Sequence, residues 1–152
     1  MANTYTQLYV HCVFAVQGRY SLIHKPWNDD LYRYISGIVT DHGHKAYIIN
    51  GMPDHVHMLV SMHPGKSLSD LMYNVKKSSS LWINQRRLVM GKFSWQEGYG
   101  AFTYSKSQIP VVANYIENQE QHHKGQSFKE EYIKLLDSFG VKYDEKYLFT
   151  TV

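Results

Sequence analysis

Residues 51–63 read GMPDHVHMLVSMH, and the fold turns on whether this stretch is a strand. In a strand the side chains alternate, so Val56, Met58, Val60 and Met62 take one face and His55 and His57 the other. Four apolar residues on one face require a core. Two imidazoles on the opposite face require water, polar partners or a ligand. With nine histidines in 152 residues, His-x-His is a weak motif by itself, and a metal pair and two surface histidines both stay open.

Working outward, KAYIIN (45–50) reads as a short strand and GMPD (51–54) as the turn that makes a hairpin with the histidine strand. TYTQLYVHCVFAV (4–16) alternates with Leu8, Val10, Cys12, Phe14 and Val16 on one face, which predicts a first strand. NDDLYRYISGIVTDHG (28–43) predicts a helix with Asn28 as N-cap, acids in its first turn, Leu31, Tyr34, Ile35, Ile38 and Val39 as its apolar positions, and Gly43 as its stop. SLSDLMYNVKKSSSLWINQRRL (67–88) predicts a second helix, with Ser67 and Asp70 in capping-box spacing and Leu68, Leu71, Met72, Val75, Trp82 and Ile83 on its inner face. GYGAFTYS (98–105) reads as a fourth strand. SQIPVVANYIENQEQHHKG (107–125) reads as one continuous helix, and SFKEEYIKLLDSFG (127–140) as a last helix capped by Ser127 and Glu130.

Strand, helix, strand, strand, helix, strand is the split βαβ order of an α+β, ferredoxin-like (RRM-like) antiparallel sheet, with the histidine strand central. Both crossover helices then cover one face. The face bearing His55 and His57 is left for the C-terminal helices or a partner.

Composition narrows the class. The length fits one domain, 1–152, able to bury its own core. A net charge of +3 with 13 tyrosines suits phosphate contact and base stacking, and fits a neutral enzyme surface equally well. The single cysteine, Cys12, excludes a disulfide framework, lies in an apolar strand and reads as a buried inert thiol. No apolar run is long enough for a membrane span and no signal-peptide layout opens the chain, so a cytoplasmic location without membrane contact is expected.

A third metal ligand is needed, because two imidazoles rarely hold a divalent ion firmly. In NYIENQ, Val112, Tyr115, Ile116 and Gln119 form one helical stripe with Tyr115 and Gln119 one turn apart. A helix laid on the free sheet face would bring a phenol and an amide to the histidines. The same spacing recurs at Tyr104 and Gln108, but there the two do not share a helical face.

Taken in order, HVH, SLSDLMYNVKKSSSLWIN, WQEGYGAFTYS and NYIENQEQHHKGQSFKEEYIKLL resemble the small single-tyrosine HUH transposases of bacterial insertion sequences, the IS200-like family whose relatives are the REP-associated tyrosine transposases. The resemblance covers nearly the whole chain. It implies His55 and His57 as metal ligands with Gln119 as the third, Tyr115 as nucleophile, and Mg²⁺ or Mn²⁺ as the ion. It also implies single-stranded DNA with hairpin-bearing element ends as substrate. A homodimer is implied too, in which Tyr115 of one chain serves the histidines of the other.

Secondary candidates are Lys76, Lys77, Arg86 and Arg87 on the second helix and Arg19 after the first strand, as DNA-phosphate contacts or as a solvated charged face. His122 and His123 read as neighbours of the phosphate or as helix-end caps. Trp82 and Trp95 read as base platforms or core. Two rival functions stay open: a replication initiator or relaxase-like nickase, and an RNA-binding sheet module in which the histidines are incidental.

Overall fold

The computed structural model describes residues 3–144 and Leu148. Four strands, β1 (Tyr9–Ala15), β2 (Lys45–Met52), β3 (His55–Ser61) and β4 (Gly100–Tyr104), pair antiparallel in the order β2-β3-β1-β4. Among the described residues the α-helices are α1 (Lys25–Asp41), α2 (Leu68–Gln85), α3 (Ile109–Glu117), α4 (Gln119–His122) and α5 (Phe128–Ser138). This is the expected α+β, ferredoxin-like arrangement, and β3 is central.

The period-2 pattern sorts the two faces as read. Val56, Met58 and Val60 join Val10, Cys12, Phe14 and Val16 in the main core under α1 and α2. Leu59, Val112 and Ile116 form a smaller cluster on the opposite face, and Val13, Ala15, Phe102, Phe128 and Leu136 form a third. Helices therefore cover both faces, and both histidines lie at 0% exposure between sheet and helices.

Three boundaries differ from expectation. Helix α1 begins at Lys25 with Pro26 in its first turn, and His24 takes the N-cap place without a side-chain cap. Asn28 is thus a first-turn residue rather than the cap: Pro26, lacking an N–H and with φ preset, starts the helix earlier. Within α1, Tyr32 rather than Tyr34 is buried, and Tyr34 stacks on Trp82 with ring centroids 5.3 Å apart. Strand β2 runs on to Met52, so the turn shrinks to Pro53 and Asp54. Helix α2 stops at Gln85, and Arg87 adopts a positive φ of 53°, so Arg86 and Arg87 lie at and beyond its C-cap rather than within it. Its N-terminus is as read, with Ser67 Oγ accepting from the Asp70 N–H at 3.1 Å.

The largest departure is the break between α3 and α4. Asn118 (φ −98°, ψ 32°) interrupts the expected continuous helix, and its N–H returns to the Asn114 carbonyl. Gln119 opens the next short turn at 0% exposure. The Asn50 side chain donates to the carbonyls of Ile116 and Glu117 at 3.0 and 3.1 Å, tying this break to β2. None of the helices among the described residues is long and apolar enough to cross a membrane.

Candidate active site

His55 opens β3 and His57 follows two residues on, so both rings project from one face of a strand hydrogen-bonded on both sides. Phe128 of α5 stacks on His55 with centroids 4.0 Å apart and planes at 15°. Glu131 sits one turn further along α5 and is 1% exposed. Its Oε1 lies 3.3 Å from His55 Nε2, 3.1 Å from His57 Nε2 and 3.0 Å from His123 Nε2. Its Oε2 accepts from the Tyr115 hydroxyl in a very short hydrogen bond and from Gln119 Nε2 at 3.0 Å. Gln119 Oε1 lies 3.1 Å from His55 Nε2. Tyr115, Gln119, His55 and His57 therefore meet, and a carboxylate the sequence reading did not single out stands at their centre.

The hydrogen bonds define protonation. His55 Nδ1 lies 2.6 Å from Asp54 Oδ1 while its Nε2 faces oxygens, so both ring nitrogens donate. Burial alone would lower the pKa of His55, but the Asp54 and Glu131 hydrogen bonds and charges outweigh it and leave the value raised. His57 differs. Its Nε2 points at Glu131 and its Nδ1 lies 2.7 Å from His11 Nε2. Complete burial is the largest influence on His57 and lowers its pKa, leaving a neutral ring that donates once and accepts once. His11, buried on β1, then donates to His57 and leaves its own Nδ1 without a partner. Tyr115 is pushed well above its ordinary range, first by burial and then by the Glu131 carboxylate, so its phenol is held protonated.

His55, His57 and Glu131 each offer a ligand atom, all within 4.8 Å of one another, and could hold a metal ion. Asp54 supports His55 from its outer nitrogen and His11 supports His57, the outer-shell backing that fixes tautomers in histidine metal sites.

Two of the missed residues carry a signal. Glu131 falls on the apolar stripe of α5 with Phe128, Tyr132 and Leu135, where a charged side chain is out of place unless it is partnered. His11 shares the β1 face with Val13 and Ala15. His123, read as one of two open candidates, reaches Glu131, while His122 stacks on Tyr115 at 4.4 Å.

The cationic candidates do not converge on this site. Lys76 donates to the carbonyls of Gln96, at 2.9 Å, and Gly98, and burial lowers its pKa to about 8, so it braces the 96–98 loop. Lys77 lies over the Tyr73 ring and Arg86 over Trp82. Arg19 takes a positive φ of 56° in a single 3-10 turn after β1. Trp95 is core, its indole N–H donating to Ser79 Oγ at 2.9 Å, and Cys12 is fully buried with its thiol pushed up to about 12.

Comparison with known proteins matches most of the chain to a known family. Residues 4–119 match the model of the IS200-like transposases. The ISDra2 transposase TnpA of Deinococcus radiodurans is 25% identical over 118 residues, spanning 74% of this chain and 84% of that protein. A crystal structure of a putative transposase from the same organism superposes with a TM-score of 0.60 at 24% identity, covering 78% of this chain and 95% of that one. A REP-associated tyrosine transposase bound to a REP hairpin gives 0.61 at 14% identity, covering 81% and 73%. These two share the fold. The family match stops at Gln119, so Glu131 lies outside it. The match spans well over half of the chain and includes His55, His57, Tyr115 and Gln119, and on that ground this protein belongs to the IS200-like transposase family.

Proposed function

We propose that this transposase cleaves and rejoins single-stranded DNA through a covalent bond between Tyr115 and a 5′ phosphate, with a divalent ion held at His55 and His57. The observation that carries the reading is the approach of the Tyr115 ring to His57, centroids 6.0 Å apart, beside the buried group of metal-ligand atoms on His55, His57 and Glu131. Gln119 Oε1 and the Glu131 carboxylate are the further ligands within reach. A mixed nitrogen and oxygen donor set suits Mn²⁺ or Mg²⁺, the imidazoles favouring Mn²⁺. Such an ion supplies Lewis-acid polarisation of the scissile phosphate.

The chain's own residues do the rest. Tyr115 is held with its O–H hydrogen-bonded to the Glu131 carboxylate, which orients the phenol beside His57. The phenolic oxygen gives up its proton to water and attacks phosphorus, the bond to the 3′ oxygen breaks, and that oxygen leaves with the electron pair and takes a proton from water to become a 3′-hydroxyl. One phosphodiester replaces another, so a second 3′-hydroxyl can reverse the step without an energy source. Lys77, Arg86, Arg87 and Arg19 are the proposed phosphate contacts along the strand, with Lys76 supporting the loop beside them. Hairpin-bearing element ends are the proposed substrate, and the cytoplasm the proposed place of action. Chain 1–152 acts as one domain, paired as a homodimer.

Incubation with Mn²⁺ and single-stranded DNA from the flanks of its own gene should give an adduct that survives denaturing electrophoresis, and Tyr115→Phe should abolish it. An adduct undiminished in Tyr115→Phe refutes the reading.

A further inference from the structure

A cavity of about 170 Å³ lies beside the site, lined by Ala15, Gln96, Tyr99, Phe128, Tyr132 and Leu148 among others. It holds over ten times the ~10–15 Å³ a single water needs, yet falls short of the ~300–1,000 Å³ typical of drug-sized ligands. One planar ring system suits that size. Phe128 is shared between cavity and site, since the ring that lines the one stacks on His55 in the other.

Gln96 is 8% exposed and fixed on every side but one. Its backbone N–H donates to the Ala15 carbonyl at 2.8 Å and its own carbonyl accepts from Lys76 at 2.9 Å. Its Nε2 donates to the Leu148 carbonyl at 2.6 Å, which sets the amide orientation. Its Oε1 has no partner. A buried acceptor held rigid at a cavity with aromatic walls asks for a flat ligand that carries a donor.

We propose that this cavity binds one nucleobase of the strand held at His55 and His57, and that Gln96 Oε1 selects a base with an exocyclic amino group. This rests on the single-stranded DNA reading above. Extruded bases are held in this way elsewhere, by aromatic walls and hydrogen bonds to the Watson–Crick edge. Thymine is disfavoured because carbonyls flank its one ring N–H and would face Oε1.

The test reads binding without metal, so cleavage is not needed. A randomised single-stranded DNA pool is equilibrated with wild type, Gln96→Met and Gln96→Leu, and the retained strands are sequenced. Wild type should enrich an amino-bearing base over thymine about tenfold at one position, and both variants should lose that preference while keeping the others. On the DNA side, replacing that base by its desamino analogue should weaken wild-type binding about tenfold, an arm that needs no variant to fold. A wild-type pool with no such position, an unchanged preference in a folded Gln96→Met, or no retained DNA overturns the proposal. Base preference without any Tyr115 adduct would keep the cavity assignment and sink the cleavage reading alone.

Discussion

A carboxylate that is 1% exposed is stable only where its charge is met, and Glu131 meets three imidazoles, a phenol and an amide. Burial by itself would raise its pKa; hydrogen bonds from His123, His55 and His57 outweigh it and hold the carboxyl far below the usual range. A folded value below the unfolded ~4.3 stabilises the protein above that pH, and the stabilisation is lost as pH falls through the folded value. Glu131→Leu should therefore cost about 3–5 kcal/mol at neutral pH, because His55 is left charged and buried. Urea titrations should show the gap between wild type and variant narrowing toward pH ~3; a constant gap would contradict the assignment. His55 makes the complementary prediction. Its raised pKa means that a metal ion must displace a proton, so Mn²⁺ affinity measured by calorimetry should fall about tenfold per pH unit below that pKa. Affinity should vanish in the His55→Ala, His57→Ala double variant and weaken in Gln119→Ala. Equal affinity in wild type and the double variant would remove the basis for the site.

At the scale of elements, the β2–β3 hairpin sets where His55 stands. Gly51 pairs with Val56, and a Cβ on Gly51 would run into the His55 carbonyl oxygen and crowd the Val56 Cα at 3.0 Å. Gly51→Ala should therefore shift the start of β3, cost about 2 kcal/mol and weaken metal binding. Gly37, inside α1 with nothing within 4 Å of an added Cβ, should instead gain roughly 0.5–1 kcal/mol as alanine. Thermal melts of the two variants moving in the same direction would refute this account of the hairpin. The elements were legible because their signals are local: alternation gave β1 and β3, Ser67 with Asp70 gave the start of α2, and Ser127 with Glu130 gave that of α5. The break at Asn118 was not, because no glycine or proline marks it and the Asn50 side chain that holds it comes from a distant strand. Tyr115 and Gln119 were legible from helical spacing, although they now sit on two consecutive helices rather than one. Glu131 was missed because a first-turn acid reads as a dipole partner of its helix, and only packing against β3 turns it into the centre of the site.

At the scale of the molecule, the sheet separates work between its faces: α1 and α2 close the main core on one, and α3, α4 and α5 close over the histidines on the other. Whereas the resemblance implies a site shared across a homodimer, Tyr115 lies beside His57 of its own chain, the geometry of a site completed within one subunit. Co-expressed His57→Ala and Tyr115→Phe chains, confirmed as heterodimers by differential tags, should then stay inactive. Recovered cleavage would establish the shared arrangement instead, since one intact site would form from the two halves. Either outcome leaves the chemistry of the tyrosine to be tested by itself. The most direct measurement is peptide mass spectrometry of the DNA adduct formed with Mn²⁺. The account predicts a nucleotide 5′ phosphate on the peptide containing Tyr115, and a phosphate on Tyr104 or any other residue would contradict it.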